Sequence, residues 1–81
     1  MQVKLKLFSI ARDLAGFGEE VIDLPPNSTA DEVLNILTER NAEFRKWKTS
    51  LRFAVNYEYV PNTHPLRDGD EVAVIPPVSG G

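Results

Sequence analysis

Val3, Leu5 and Leu7 alternate with Gln2, Lys4 and Lys6 at the start of the chain. A period of two marks a strand with one buried face. Phe8 continues the lysine phase, which places it on the outer face if the strand stays regular. Ser9 then offers a hydroxyl to cap a short helix over residues 10–15, and Gly16 ends it. Residues 20–24 read as a second strand paired with the first, broken by Pro25-Pro26-Asn27.

The clearest element follows. Thr29-Ala30-Asp31-Glu32 has the T-x-x-E spacing of a capping box. Val33, Ile36 and Leu37 share a helical stripe, with Leu34 beside it. Asp31 and Glu32 suit the positive end of the helix dipole and Arg40 the negative end. The spacing predicts a helix over residues 30–41 whose apolar stripe needs a sheet to lie on. Phe44 and Trp47 sit in a basic, turn-like stretch and are expected as a satellite of the core under a loop. Residues 51–57 read as a strand with Phe53, Val55 and Tyr57 in one phase, and Tyr59-Val60 as a short edge strand. Asp68-Gly69-Asp70 is a turn, and residues 71–75 form the last strand with Val72 and Val74 facing in.

This order predicts an α+β fold, a mixed sheet with one main helix packed on one face. Regular alternation in the first and last strands puts both inside the sheet. The expected organisation is a domain over residues 1–75 and an extended, flexible tail over residues 76–81. No repeat or linker divides the chain.

Composition narrows the function. A chain of 81 residues is a single small domain. Its net charge of −3 argues against a general nucleic-acid binder, which needs a basic face to displace counterions. The chain has no cysteine, so disulfides and thiolate-held zinc or iron–sulfur sites are excluded. No segment has the apolar length of a signal peptide or membrane span, and a cytoplasmic protein with no membrane partner is expected.

Candidate chemistry is sparse. His64 is flanked by Thr63 and Pro65 and reads as a turn residue. None of the serines has a G-x-S-x-G setting. The acidic run Asp68-Gly69-Asp70-Glu71 lacks the register of a calcium loop. No resident metal or cofactor is expected.

That leaves the end, Val74-Ile75-Pro76-Pro77-Val78-Ser79-Gly80-Gly81. With glycine at about 7% of residues, a chance Gly-Gly end arises in about one chain in two hundred. The plain reading is a frayed terminus. The functional reading makes the Gly81 carboxylate the reacting group. Gly80 and Gly81 have no Cβ, so this stretch of backbone is thin enough for a narrow channel. Pro76 and Pro77 hold the base of the tail extended, Val78 can anchor in a partner's groove, and Ser79 adds a hydrogen bond. If the first and last strands are neighbours, Phe8 and Ile75 form an apolar patch at the root of the tail, with Tyr59 nearby. The alternatives are a lone surface aromatic or a slipped register with Phe8 in the core.

Several segments together resemble the small subunit of molybdopterin synthase. They are Leu7-Phe8, Ala11-Arg12-Asp13-Leu14, Gly16, Val55-Asn56, His64-Pro65-Leu66, Asp68-Gly69-Asp70-Glu71-Val72 and Pro76-Pro77-Val78-Ser79-Gly80-Gly81. The resemblance spans essentially the whole chain and is most specific from His64 onward. It implies a β-grasp, ubiquitin-like fold. It also implies that Gly81 is adenylated by a ubiquitin-activating-type adenylyltransferase using ATP, then converted to a thiocarboxylate. The tail would enter the large synthase subunit, in a two-plus-two assembly, and give its sulfur to cyclic pyranopterin monophosphate. Phe8, Tyr59 and Ile75 would contact the partners. Rival readings with the same kind of end are a sulfur carrier for thiazole synthesis and a protein modifier conjugated through Gly81. A plain interaction module with an incidental tail is a third.

Overall fold

The computed structural model describes residues 1–76; Pro77, Val78, Ser79, Gly80 and Gly81 lie outside the described residues. The elements are β1 (Gln2–Leu7), α1 (Ser9–Ala15), β2 (Glu19–Asp23), α2 (Ala30–Arg40), a 3-10 helix (Ala42–Trp47), β3 (Arg52–Val55), β4 (Glu58–Val60) and β5 (Glu71–Ile75). The five strands form one sheet in the order β2-β1-β5-β3-β4. β1 and β5 run parallel, and the other neighbours are antiparallel. A mixed sheet covered on one face by a crossing helix is the α+β arrangement expected from the element order, in the β-grasp form that the resemblance implies.

Alternation dictates the layers. Val3, Leu5 and Leu7 from β1, Val72 and Val74 from β5, and Phe53 and Val55 from β3 all point into the core. Ala30, Val33, Leu34 and Leu37 of α2 join the same core, while Ile36 is only partly buried. Phe44 is fully buried there too, so the stretch expected to be a loop is a 3-10 helix that adds to the main core. Burying a side chain of that size contributes about 1.5–3 kcal/mol. For a domain this small, whose net stability is about 4–12 kcal/mol, that contribution is large.

Both expected helix caps are replaced. Phe8 is the N-cap of α1 and makes no side-chain cap bond. Ser9 sits at φ 49, so its hydroxyl is not at the cap position. Gly16 does end α1 in the left-handed region, at φ 85. Thr29 is the N-cap of α2, yet its hydroxyl makes no cap bond. Instead, the Ala30 N–H donates to the His64 carbonyl at 3.1 Å and the Asp31 N–H to the Asn62 carbonyl at 3.0 Å. The loop before β5 thus supplies acceptors to donors that every helix start leaves unpaired. Asn41 ties the other end: its Nδ2 donates to the Leu14 carbonyl and its Oδ1 accepts from the Glu43 N–H.

β3 ends earlier than its apolar phase suggests. Asn56 and Tyr57 have φ of 51 and 73 and form the two-residue turn into β4. Tyr57 is therefore 86% exposed rather than in phase with Phe53. The Asn56 side chain accepts from the Glu71 N–H and donates to Asp70 Oδ1, pinning this turn to the start of β5. In the acidic turn, Asp70 Oδ2 accepts from the Arg67 N–H and Asp68 Oδ1 from the Gln2 N–H. Those carboxylates close a turn and hold the start of β1.

Ion pairs stitch the solvent side. Lys4 Nζ lies 2.7 Å from Glu19, Lys6 Nζ 3.0 Å from Glu71, and Arg40 Nη1 2.7 Å from Glu20. The Arg40 guanidinium also lies 4.9 Å from the centre of the Phe17 ring. Hydrogen bonds from Lys4, Lys6 and Arg40 hold the Glu19, Glu71 and Glu20 carboxyls, respectively, below the usual carboxylate range.

Two tests follow from these contacts. Thr29→Ala should cost less than about 0.5 kcal/mol in urea denaturation, against about 1 kcal/mol for a working N-cap hydroxyl. A full-sized loss would return the cap to the Thr29 side chain. The second test concerns pH. Because the folded carboxyls sit below their unfolded value of about 4.3, their stabilisation is present above that pH and disappears as pH falls through the folded values. Thermal melts should hold steady from about pH 7 to 5 and drop below about 4.3, and Glu71→Gln with Glu19→Gln should flatten that drop.

Candidate functional site

The outer face of the sheet changes character along its length, and the pairing register shows how. Lys4 lies between Val21 and Glu71. One pleat further on, Glu19, Lys6, Ala73, Ala54 and Tyr59 form a row across all five strands. Next, Ile75 lies opposite Arg52. Leu7 pairs with Val74, so Phe8, whose backbone remains extended at φ −126 and ψ 153, follows on beside Ile75. The face thus runs from paired ions through small side chains to apolar ones.

Each step has a physical cause. Glu19 and Lys4, and Glu71 and Lys6, satisfy each other near the start of β5. The Lys4 and Lys6 ammonium groups are correspondingly pushed up by their hydrogen bonds to these carboxylates. Ala73 and Ala54 project only a methyl group, so the middle of the face is a shallow floor. Ala54 is buried even though it faces outward. Larger side chains rise around that floor: Phe8 is 48% exposed, Tyr59 72% exposed, and Ile75 half-buried.

The structure brings Phe8 and Ile75 together where β5 ends. Tyr59 stands two strands from Ile75, across the alanine floor. Pro76, which the sequence reading assigned to the tail, is buried, so the body extends through that residue. Pro77, Val78, Ser79, Gly80 and Gly81 fall outside the described residues. Sequence reasoning overlooked the alanine floor and Arg52. The signal was present, since residues 52 and 54 share one phase of β3, but it needed the β3–β5 pairing to place that phase beside Ile75.

Among the described residues, no group of three or more His, Asp or Glu side chains is placed to hold a metal ion. His64 contributes its carbonyl to the start of α2, and its side chain lines an open cleft with Asn56, Glu58 and Arg67. No helix among the described residues is long and apolar enough to cross a membrane.

Comparison with known proteins matches this arrangement. Residues 5–81 match the ThiS family. A molybdopterin synthase sulfur carrier subunit of Chlamydomonas reinhardtii is 39% identical over 100% of both chains. Among solved structures, molybdopterin converting factor subunit 1 from Pyrococcus furiosus superposes with a TM-score of 0.84 at 34% identity, covering 96% of this chain and 99% of that one. A complex of subunits 1 and 2 of molybdopterin-converting factor from Helicobacter pylori gives 0.69 at 26% identity over 100% of both chains. With a family match over residues 5–81, a relative 39% identical along its whole length, and a β-grasp sheet that carries an apolar patch at the root of a Gly-Gly end, this chain belongs to the ThiS family.

Proposed function

We propose that this chain is the sulfur carrier subunit of a molybdopterin synthase, with the carboxylate of Gly81 as the group that carries the sulfur. The observation that carries the reading is the apolar patch of Phe8 and Ile75 where β5 hands over to a chain ending in Gly80-Gly81. Full-length similarity to a sulfur carrier subunit supports it.

A carboxylate is a poor acyl donor, because displacement would have to expel oxide. Transfer of AMP from ATP to the Gly81 carboxylate, with loss of pyrophosphate, creates a good leaving group. Hydrosulfide attacking the carbonyl then displaces AMP, forming a C–S bond as the C–O bond to AMP breaks, and loss of the S–H proton leaves a thiocarboxylate, a soft nucleophile on a narrow stem. ATP belongs to the adenylyltransferase that performs this activation, and this chain supplies the acyl group. The body needs no catalytic side chains for that role; it needs a surface that the partners recognise. The absence of cysteine from the chain also means that no internal thiol competes for the activated carbonyl.

The large synthase subunit is the receiving partner. The similarity to subunit 1 in a complex of subunits 1 and 2 of molybdopterin-converting factor from Helicobacter pylori supports this partner. Phe8, Tyr59 and Ile75 form the contact surface, and residues 77–81 reach the reacting centre of the partner. The ion pairs further along the sheet leave that part of the face polar, which confines the apolar contact to the tail root.

Deleting Gly81, or adding a residue after it, should abolish the mass gain of an oxygen-to-sulfur exchange when the chain is incubated with ATP, the activating enzyme and a sulfur source. The thermal melt should stay within about 2 °C. An undiminished mass gain on the shortened chain would overturn the assignment of Gly81. Phe8→Asp should weaken binding to the large subunit by about tenfold or more, in line with the loss of a central apolar anchor, while costing well under about 1 kcal/mol of folding stability. Equal losses in binding and folding would make Phe8 a structural residue.

A further inference from the structure

Arg52 is a cation on the outer face of the sheet. It opens β3, lies opposite Ile75 and is exposed. Lys4 and Lys6 on the same face are paired with Glu19 and Glu71. Among the described residues, no carboxylate lies within ion-pair distance of the Arg52 guanidinium. Arg52 instead lines an open cleft of about 510 Å³ with Tyr59, Val60 and Pro61. The cleft therefore combines a planar cation, an aromatic ring and aliphatic walls, and it adjoins the Phe8–Ile75 patch.

This setting decides what a partner must bring. A surface that covers Ile75 also removes water from Arg52 beside it. A desolvated cation without a counter-charge is strongly unfavourable, so the covering surface must offer an acceptor. A guanidinium presents its donors as a rigid fork that matches a carboxylate in two parallel hydrogen bonds. Apolar contact alone is non-directional and leaves the body free to rotate about the tail. A forked pair to one side of the tail root removes that freedom.

We propose that Arg52 and its cleft receive an aspartate or glutamate side chain of the large synthase subunit, and that this pair fixes the orientation of the carrier while its tail is engaged. The assignment rests on the carrier reading given above and adds the residue and the partner chemistry that set the docking angle.

The test measures affinity of the full chain for the large subunit at about 50 mM and about 300 mM salt, using wild type, Arg52→Gln, Arg52→Glu and Arg52→Lys. Arg52→Gln should weaken binding by about tenfold or more and Arg52→Glu by more still, while Arg52→Lys retains part of the affinity. Replacing the matching acidic residue of the large subunit with arginine should restore binding to Arg52→Glu. Thermal melts check folding, and if Arg52→Glu is unfolded, the glutamine and lysine variants decide. Wild-type affinity in Arg52→Gln would overturn the proposal. So would a loss confined to Arg52→Glu, since that reports repulsion without a pair. A change in self-association of the chain alone would also overturn it, by making a second copy the occupant of the cleft. Sulfur loading of the wild-type chain is measured in parallel. A wild-type chain that neither loads sulfur nor binds the large subunit overturns the carrier reading itself, and this assignment with it.

Discussion

Everything at the tail root depends on the parallel pairing of β1 with β5, which joins the two ends of the chain in the middle of the sheet. Leu5 opposite Val72 and Leu7 opposite Val74 set its register. The inner side of that pairing supplies the centre of the core, and the outer side sets Phe8 beside Ile75. A slip of one residue would exchange the two faces, burying Lys4 and Lys6 and exposing the leucines, so the register is strongly specified. The acidic turn reinforces it, since Asp68 and Gly69 bond to the backbone of Gln2 and the Asp70 carbonyl accepts from the Lys4 N–H. A turn that suggests a metal loop by composition acts here as a register lock.

The two ends of the sheet are built for different work. Near the start of β5, side chains satisfy one another through Asn56, Asp70, Glu71, Lys6, Lys4 and Glu19. Near its end, Phe8, Ile75, Tyr59 and Arg52 have surface to offer. The division has an energetic basis. Groups already paired gain little from a partner, whereas exposed apolar area and a guanidinium with no ion pair among the described residues gain a great deal when covered by a matching surface. The exposed apolar area of the outer face is therefore gathered where β5 ends.

How far the sequence was legible depended on whether each element is specified by its own residues. The β1 and β5 alternations, Gly16 at the end of α1 and the apolar stripe of α2 could be read directly, because each encodes a local periodicity or a local backbone need. The caps misled. Thr29 and Glu32 have the spacing of a capping box, yet the carbonyls of Asn62 and His64 reach the start of α2 from a distant loop. Tyr57 looked like a strand residue because β3 is apolar up to Val55, but Asn56 and Tyr57 turn the chain. Phe44 has no repeating neighbours to announce it, and its burial depends on the space left between α2 and the sheet.

The α+β composition, the inward faces of the strands, the single main helix, the lack of thiols and the Gly80-Gly81 end are all written in local residues. These follow from periodicity and residue type, which act over a few residues. It takes the assembled sheet to put β1 beside β5, to lay Ala73 and Ala54 as a floor between Tyr59 and the end of β5, and to stand Arg52 next to Ile75. Those neighbours are far apart along the chain. Their meeting is set by the burial of one shared core, which no local pattern records.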